Sequence, residues 1–366
     1  MKSRIKKIFI NIGIFFNFLI GLCLIASAYA GNISPDTIEI AGLINMSFPV
    51  WIILNISTFL IDLIFKRKLS FIPIASFLFC AGPLLNFSPL NILGYDMSSS
   101  EKRHSFTLLT YNVVEFFDQE GIYPDNTNRT ISYILSTDAD IVCMQECDYL
   151  SPLSLTHITP EQIDSLKQRY PYRKVETAGQ SILSKYPFTP IDLGVSAEDR
   201  RDMAAYLIEI GNEIVTIYNL HLRSFGLDSD DKALYKDLTQ LKADDNIKKA
   251  KRQLVSKIND AAKIRAKQAQ IIRAHIDKTG GNIIVCGDFN DVPNCYAIHT
   301  ISGDKMHDAY AENAFGPTIT YNANRFYFRI DHVLYQGKFK AIDIERNNLK
   351  SSDHYALLTT FLWETN

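Results

Sequence analysis

The chain has 366 residues, enough for one large domain or two, with 47% hydrophobic residues and a formal net charge of −2. A charge so near zero excludes whole-chain electrostatic attraction to nucleic acid. The apolar residues are unevenly spread: the first 95 residues carry few charges, and the remainder has the composition of a soluble enzyme.

Three apolar stretches open the chain, at about residues 8–30, 40–65 and 69–87. Each approaches the roughly 20 residues that a helix needs to cross a bilayer. Their interruptions are mostly Asn, Ser, Gly and Pro, which membrane helices tolerate, and Asp62 lies one turn from Lys66 and so reaches the interface. Lys2, Arg4, Lys6 and Lys7 precede the first stretch and Lys66, Arg67 and Lys68 separate the second from the third. By the positive-inside rule the N-terminus and that loop are cytoplasmic, and everything after residue 95 is outside. The rival reading is a cleaved signal peptide ending at Ala28-Tyr29-Ala30. It leaves two spans around the same loop and does not move the rest. The expectation is a multi-pass membrane protein with the lipid bilayer as partner, an extracytoplasmic large domain, and no obligate protein partner.

Residues 96–105 read as a polar linker, and residues 106–366 as the large domain. "FTLLTYNVV" is a β-rich run, "NRTISYILSTD" has a helical period, and "ADIVCMQE" is strand-like. "TPEQIDSLKQRYP" predicts a helix capped by Thr159 with Pro160 at its first position. "SILSKYPF" follows, and then "AAYLIEIGNEIVTIYNLHL" predicts a hairpin through its Gly-Asn turn. Asp228 to Asp245 leans acidic, whereas Asn246 to Lys278 is basic and places Leu254, Ile258, Ala261, Ile264, Gln268, Ile271 and His275 at helical spacing. That is a long amphipathic helix whose basic face is either solvated or available to anionic headgroups or nucleic acid. "NIIVCGDFN", "FYFRIDHVLY" and "YALLTTFLW" complete the run of strands. Such a mixture predicts an α/β or α+β sandwich. Of the six cysteines, Cys143-x-x-x-Cys147 lacks a zinc-type partner pair. Buried thiols are the simpler reading beside a Cys143–Cys147 or Cys286–Cys295 disulfide.

Six of these elements carry polar groups that apolar strands do not need. Asn112 ends "FTLLTYN", Glu146 follows "ADIVCMQ", and Asn219 and His221 end "VTIYNLHL". Asp288 and Asn290 follow "NIIVCG", Asp331 sits in "FRIDHVLY", and Asp353 and His354 precede the last strand. One such residue is usually a turn former or cap. Six together make a site for a hard cation and a phosphate, and oxygen ligands with few nitrogens suit Mg²⁺ or Mn²⁺.

The ordered series "TYNV", "MQE", "ILSKYPF", "NLHL", "GDFND-x-P", "RIDHVL" and "SDHYAL" resembles the endonuclease/exonuclease/phosphatase superfamily, with its DNase I-like fold, from about Phe106 to the C-terminus. It departs at Ala356, where that family usually has a proline. The resemblance implies an α+β fold, a four-layer α/β/β/α sandwich here preceded by about three transmembrane helices, and metal-dependent hydrolysis of phosphoester bonds. It implies Asn112, Glu146 and Asp353 as metal ligands, and His354, paired with Asp331, as general base or phosphate-stabilising group. Asp288 competes for the base role. His221 contacts the phosphate or protonates the leaving group, and Asn290 and Asn219 donate to phosphate oxygens and water. Tyr111, Lys185, Arg325 and Arg329 are weighed as substrate contacts against core-aromatic and surface-cation roles, and His332 reads as structural. The implied substrate is nucleic acid, or a phospholipid or sphingomyelin-type headgroup. A catalytically silent scaffold would have lost ligands, whereas every position is filled.

Overall fold

The runs expected as strands pair into two mixed six-stranded sheets in a computed structural model of the chain, which describes residues 2–65, 68–121, 127–147, 158–175, 179–196, 202–226, 245–323 and 327–364. The strands are β1 (Ser105–Asn112), β2 (Ile141–Gln145), β3 (Tyr172–Val175), β4 (Ser181–Ser184), β5 (Phe188–Ile191) and β6 (Met203–Ile210). They continue with β7 (Glu213–His221), β8 (Asn282–Asp288), β9 (His307–Asp308), β10 (Asp331–Gln336), β11 (Phe339–Arg346) and β12 (Leu357–Trp363). One sheet runs β11-β12-β1-β2-β4-β3 and the other β5-β6-β7-β8-β10-β9.

Alternation along the strands explains the layering, since successive side chains point to opposite faces. Phe106, Leu108, Ile141 and Cys143 of one sheet meet Tyr206, Ile217, Ile284 and Cys286 of the other in a dry core. The opposite residues, Leu109, Val142 and Met144, pack under the Arg129–Thr137 and Pro160–Arg169 helices. On the far side Tyr218, Ile283 and Val285 pack under Ala269, Ile272 and Ile276 of the Asp245–Thr279 helix. The result is the expected four-layer sandwich. Thr159 caps its helix with Gln162 in a capping box, as expected. All six cysteines are free thiols.

The N-terminal segment differs from expectation. Among the described residues one helix, Ile10–Asn32, is long and apolar enough to cross a membrane, or two if the bent Lys68–Phe79 and Ala81–Phe87 pair counts as one span, in place of about three. It is the C-terminal part of α1 (Lys2–Tyr29) and a following 3-10 turn. The second apolar stretch is divided into α2 (Ala41–Met46) and α3 (Phe48–Ile64), and Pro49 in the first turn of α3 marks the break. The third forms α4 (Phe71–Phe79) and α5 (Ala81–Phe87), bent by 69°. Pro83 has no N–H for the carbonyl of Phe79, so the helix breaks there. The Tyr29 hydroxyl donates to that freed oxygen at 2.6 Å, satisfying it from α1. Lys66 and Arg67, on which the orientation rests, lie outside the described residues.

Nor is this segment merely tethered. Asn294, which reads in the sequence as a turn residue, accepts from Asn86 Nδ2 at 2.9 Å and donates to the Pro83 carbonyl at 3.0 Å. Arg329 donates to the Asn86 carbonyl at 2.9 Å. The end of α1 touches the same turn: a Cβ on Gly31 would fall 1.7 Å from the Asn294 carbonyl oxygen, so only glycine fits.

Candidate active site

Strand direction gathers the polar residues. β1 and β2 are parallel, with Asn112 beside Gln145, and β7 and β8 are parallel, with His221 beside Asp288. Four strands therefore end on one rim. β10 runs antiparallel to β8 and starts there, Asp331 opposite Asp288. β12 runs antiparallel to β1, so the Asp353-His354 turn before it reaches the same rim. Gly287 permits the approach: a Cβ there would lie 2.0 Å from the Leu220 carbonyl oxygen.

Asn112 is buried, and its Nδ2 donates to Glu146 Oε1 at 3.0 Å and to Asp288 Oδ2 at 3.1 Å. It thus fixes two acids from two different sheets. Asp288 is buried and accepts the Asn290 N–H at 2.8 Å. His354 Nδ1 pairs with Asp331 Oδ2 at 2.9 Å, and its Nε2 faces Asp288 Oδ2 at 3.5 Å. His221 Nε2 lies 3.6 Å from Glu146 and 3.8 Å from Asp288, partly open to solvent. Glu146 and Asn290 hold positive φ angles of 47° and 50°, unusual for residues with side chains and concentrated at functional sites in general. Ser352 ties the last turn down, donating to the Asn112 carbonyl at 2.8 Å and accepting the His354 N–H at 3.0 Å.

Glu146, His221, Asp288, Asn290, Asp353 and His354 line a cavity of about 360 Å³ together with Met46, Phe225, Tyr321, Phe328 and Ile330. Composition alone gave no signal for this apolar wall, because Met46 comes from the N-terminal segment. Tyr321 stands beside the His354 ring, centroids 5.0 Å apart. Asn219 lies beneath the cavity: its Nδ2 donates to the Met144 and Ser181 carbonyls at 3.0 and 3.1 Å, and its Oδ1 accepts from Gln145 at 2.6 Å. It joins the two sheets and is not among the residues that line the cavity. Asn290 lines the cavity while its Nδ2 holds the Leu222 carbonyl at 2.9 Å. Tyr111 is buried against Ser351, Lys185 pairs with Asp138 and Asp140, and Arg329 with Asp308, so none of the three faces the cavity. Arg325 lies outside the described residues.

Burial sets the charges. It raises the Asp288 carboxyl, with His354 opposing and Asp331 reinforcing. Burial likewise raises Asp353, which His354 opposes and Glu146 reinforces. For His354 burial pulls downward, yet Asp331 and Asp288 prevail and lift it to about 10, so it is an imidazolium at neutral pH. Four acids thus face two histidines, and the buried Asp353 Oδ1 has no hydrogen-bond partner among the described residues. An orphaned acid oxygen next to Glu146 fits a hard cation. Asp288, Asp331 and His354 also bring ligand atoms within 4.8 Å of one another. That trio is already closed by the His354–Asp331 hydrogen bond, whereas Glu146 and Asp353 are the acids left with oxygens that could hold a cation.

His332 points away from the rim, as strand alternation requires, and its Nε2 meets the Asp291 carbonyl at 3.0 Å. Burial, aided by the Arg329 charge, lowers it to about 3. An unfolded histidine takes up a proton below about pH 6.5, whereas this one does not, so stability falls as pH drops from there toward 3. By that linkage about 2 kcal/mol is lost between pH 7 and pH 5. Denaturation midpoints of His332→Gln should fall less steeply over that interval than those of the wild type; equal slopes would contradict the assignment.

A family model described as Endonuclease/Exonuclease/phosphatase family matches residues 109–354. A second, described as a domain of unknown function (DUF8431), matches residues 6–87. No curated protein matches the chain. Among solved structures, an endonuclease/exonuclease/phosphatase from Beutenbergia cavernae DSM 12333 is 18% identical, covers 72% of each chain and has a TM-score of 0.48. Humanized D. rerio TDP2 is 14% identical over 70% of this chain and 99% of that one, with a TM-score of 0.45. Sphingomyelinase C from Streptomyces griseocarneus is 17% identical over 70% of this chain and 99% of that one, with a TM-score of 0.42.

Proposed function

Since the chain belongs to the endonuclease/exonuclease/phosphatase family, we propose that the rim cavity hydrolyses phosphoester bonds with a divalent cation, Mg²⁺ or Mn²⁺, held by Glu146 and Asp353. The observation that carries this reading is the acid cluster around the Asp353 oxygen, which has no hydrogen-bond partner among the described residues, placed beside a buried His354–Asp331 pair. When bound, such a cation polarises a phosphoryl oxygen and steadies charge on the leaving oxygen. Asn112 keeps Glu146 and Asp288 in place and is assigned this positioning role instead of direct ligation.

Asp288 accepts a proton from the attacking water as the water oxygen bonds to phosphorus. Its raised pKa makes it a better base than an exposed aspartate, and Asn112 and Asn290 orient it. The bond from phosphorus to the leaving oxygen breaks, and His221, partly open at the cavity mouth, supplies that oxygen's proton. His354 has both nitrogens turned toward carboxylates and stays charged, so it stabilises the phosphate and does not act as the base. Proton return from Asp288 to His221 across 3.8 Å or through water resets the site.

We infer that the Ile10–Asn32 helix anchors the protein in a membrane, and that, with the basic N-terminus cytoplasmic, this single span puts the sandwich on the extracytoplasmic side. Nuclease-like cleavage needs cations along the strand's path. Among the described residues none of the cavity lining is Lys or Arg. Arg265 on the basic helix is buried with Asp291, and Lys263 pairs with Glu39. The cavity therefore suits a single phosphoester group. The 366-residue chain in detergent micelles with Mg²⁺ should release 4-nitrophenol from methyl 4-nitrophenyl phosphate. No release with either Mg²⁺ or Mn²⁺ would overturn the assignment.

A further inference from the structure

We propose that the substrate is a lipid phosphoester whose hydrocarbon chain lies in an apolar groove formed by the N-terminal helices and continuous with the catalytic cavity. The proposal rests on the phosphoesterase reading and adds the substrate class. Three spaces adjoin one another. The catalytic cavity shares Val292 and Phe328 with a neighbouring cavity of about 320 Å³. That cavity in turn shares Pro49, Phe87 and Pro317 with a groove of about 860 Å³ running between α3 and the α4–α5 pair.

Polarity changes in order along this path. The first space holds Glu146, Asp288, Asp353 and the two histidines. The middle one mixes Phe48 and Ile319 with Asn45, Thr318 and Arg346. The groove is walled by residues such as Ile52, Ile56, Phe59, Phe77 and Leu84, and Ser88 is the one polar side chain among its described lining. A phosphoester headgroup, a polar backbone and an acyl chain follow the same sequence. A nucleic-acid strand does not, since an apolar groove offers its phosphates nothing.

Depth agrees with this path. The candidate span ends at Asn32, and Gly31 lies against the turn that follows the catalytic Asp288-Phe289-Asn290 segment. Met46, from the same segment, lines the catalytic cavity itself. With the candidate span across a bilayer, its end puts the reacting centre at the level of lipid headgroups. Ile53 and Leu78 on the groove's edge are 64% and 72% exposed, an arrangement suited to lipid contact.

The test compares hexadecyl and methyl 4-nitrophenyl phosphate, which share a leaving group and differ in tail, using the full chain in micelles with Mg²⁺. The wild type should favour the hexadecyl ester by at least about tenfold in kcat/KM, and Ala81→Trp, which fills the groove, should collapse that ratio. A hexadecyl ester carrying a terminal diazirine should cross-link to peptides of α3 and α5, a readout that holds even where Ala81→Trp fails to fold. An equal ratio in both proteins with no cross-link on those helices would overturn the proposal, as would faster cleavage of plasmid DNA or RNA than of the hexadecyl ester. Lack of turnover of either ester by the wild type would instead reject the phosphoesterase reading, so the two failures are distinct.

Discussion

Asp288→Asn should lower kcat toward methyl 4-nitrophenyl phosphate by about a thousandfold or more with little change in KM, a loss of about 4 kcal/mol of transition-state stabilisation. The geometry makes this replacement informative. Asparagine keeps an oxygen for the Asn290 N–H but removes the basic carboxylate that faces both histidines. It is isosteric, so the strand pairing with Asp331 and His221 should persist and the melting temperature should stay near that of the wild type. His354→Gln should also impair turnover, but by removing positive charge. The pH–rate profile separates the two: the acidic limb should disappear in the Asp288 variant and survive in the His354 variant. A kcat within tenfold of wild type for Asp288→Asn would remove it from the mechanism.

Glu146→Gln should weaken Mn²⁺ binding by about a hundredfold and depress turnover by a similar factor at limiting cation, with partial recovery at high Mg²⁺. Glu146 stands at positive φ directly after β2, held by Asn112 through its side chain and by the Glu115 N–H through its carbonyl. That much fixation of a partly exposed acid supports the ligand role proposed for it. Electron paramagnetic resonance of Mn²⁺ reads the affinity without reference to activity. An unchanged affinity would move the cation to the Asp288–Asp331–His354 trio.

Most of the sandwich was legible because its strands are apolar runs that end abruptly in Asn, Asp, Glu or His. The parallel β1–β2 and β7–β8 pairs then bring those ends to one rim. That Asn219 ties the two sheets together was not legible. Strand alternation puts it on the same face as His221, but two residues deeper, where it meets the other sheet's carbonyls before any substrate. The N-terminal segment misled for a different reason. Hydropathy counts apolar residues without seeing that Pro49 and Pro83 divide the second and third stretches into short helices. Its docking was hidden in Gly31, Asn86 and Asn294, polar or small residues with no motif of their own. Met46 reached the active site by the same route, and no local pattern announces that residues 46 and 354 line one cavity.

The central claim, a cation-dependent phosphoesterase centred on Glu146, Asp288, Asp353 and His354, is tested most directly by turnover of methyl 4-nitrophenyl phosphate before and after chelation. The account predicts hydrolysis by the 366-residue chain that EDTA abolishes and added Mg²⁺ or Mn²⁺ restores. Hydrolysis that persists at the same rate in EDTA would contradict it.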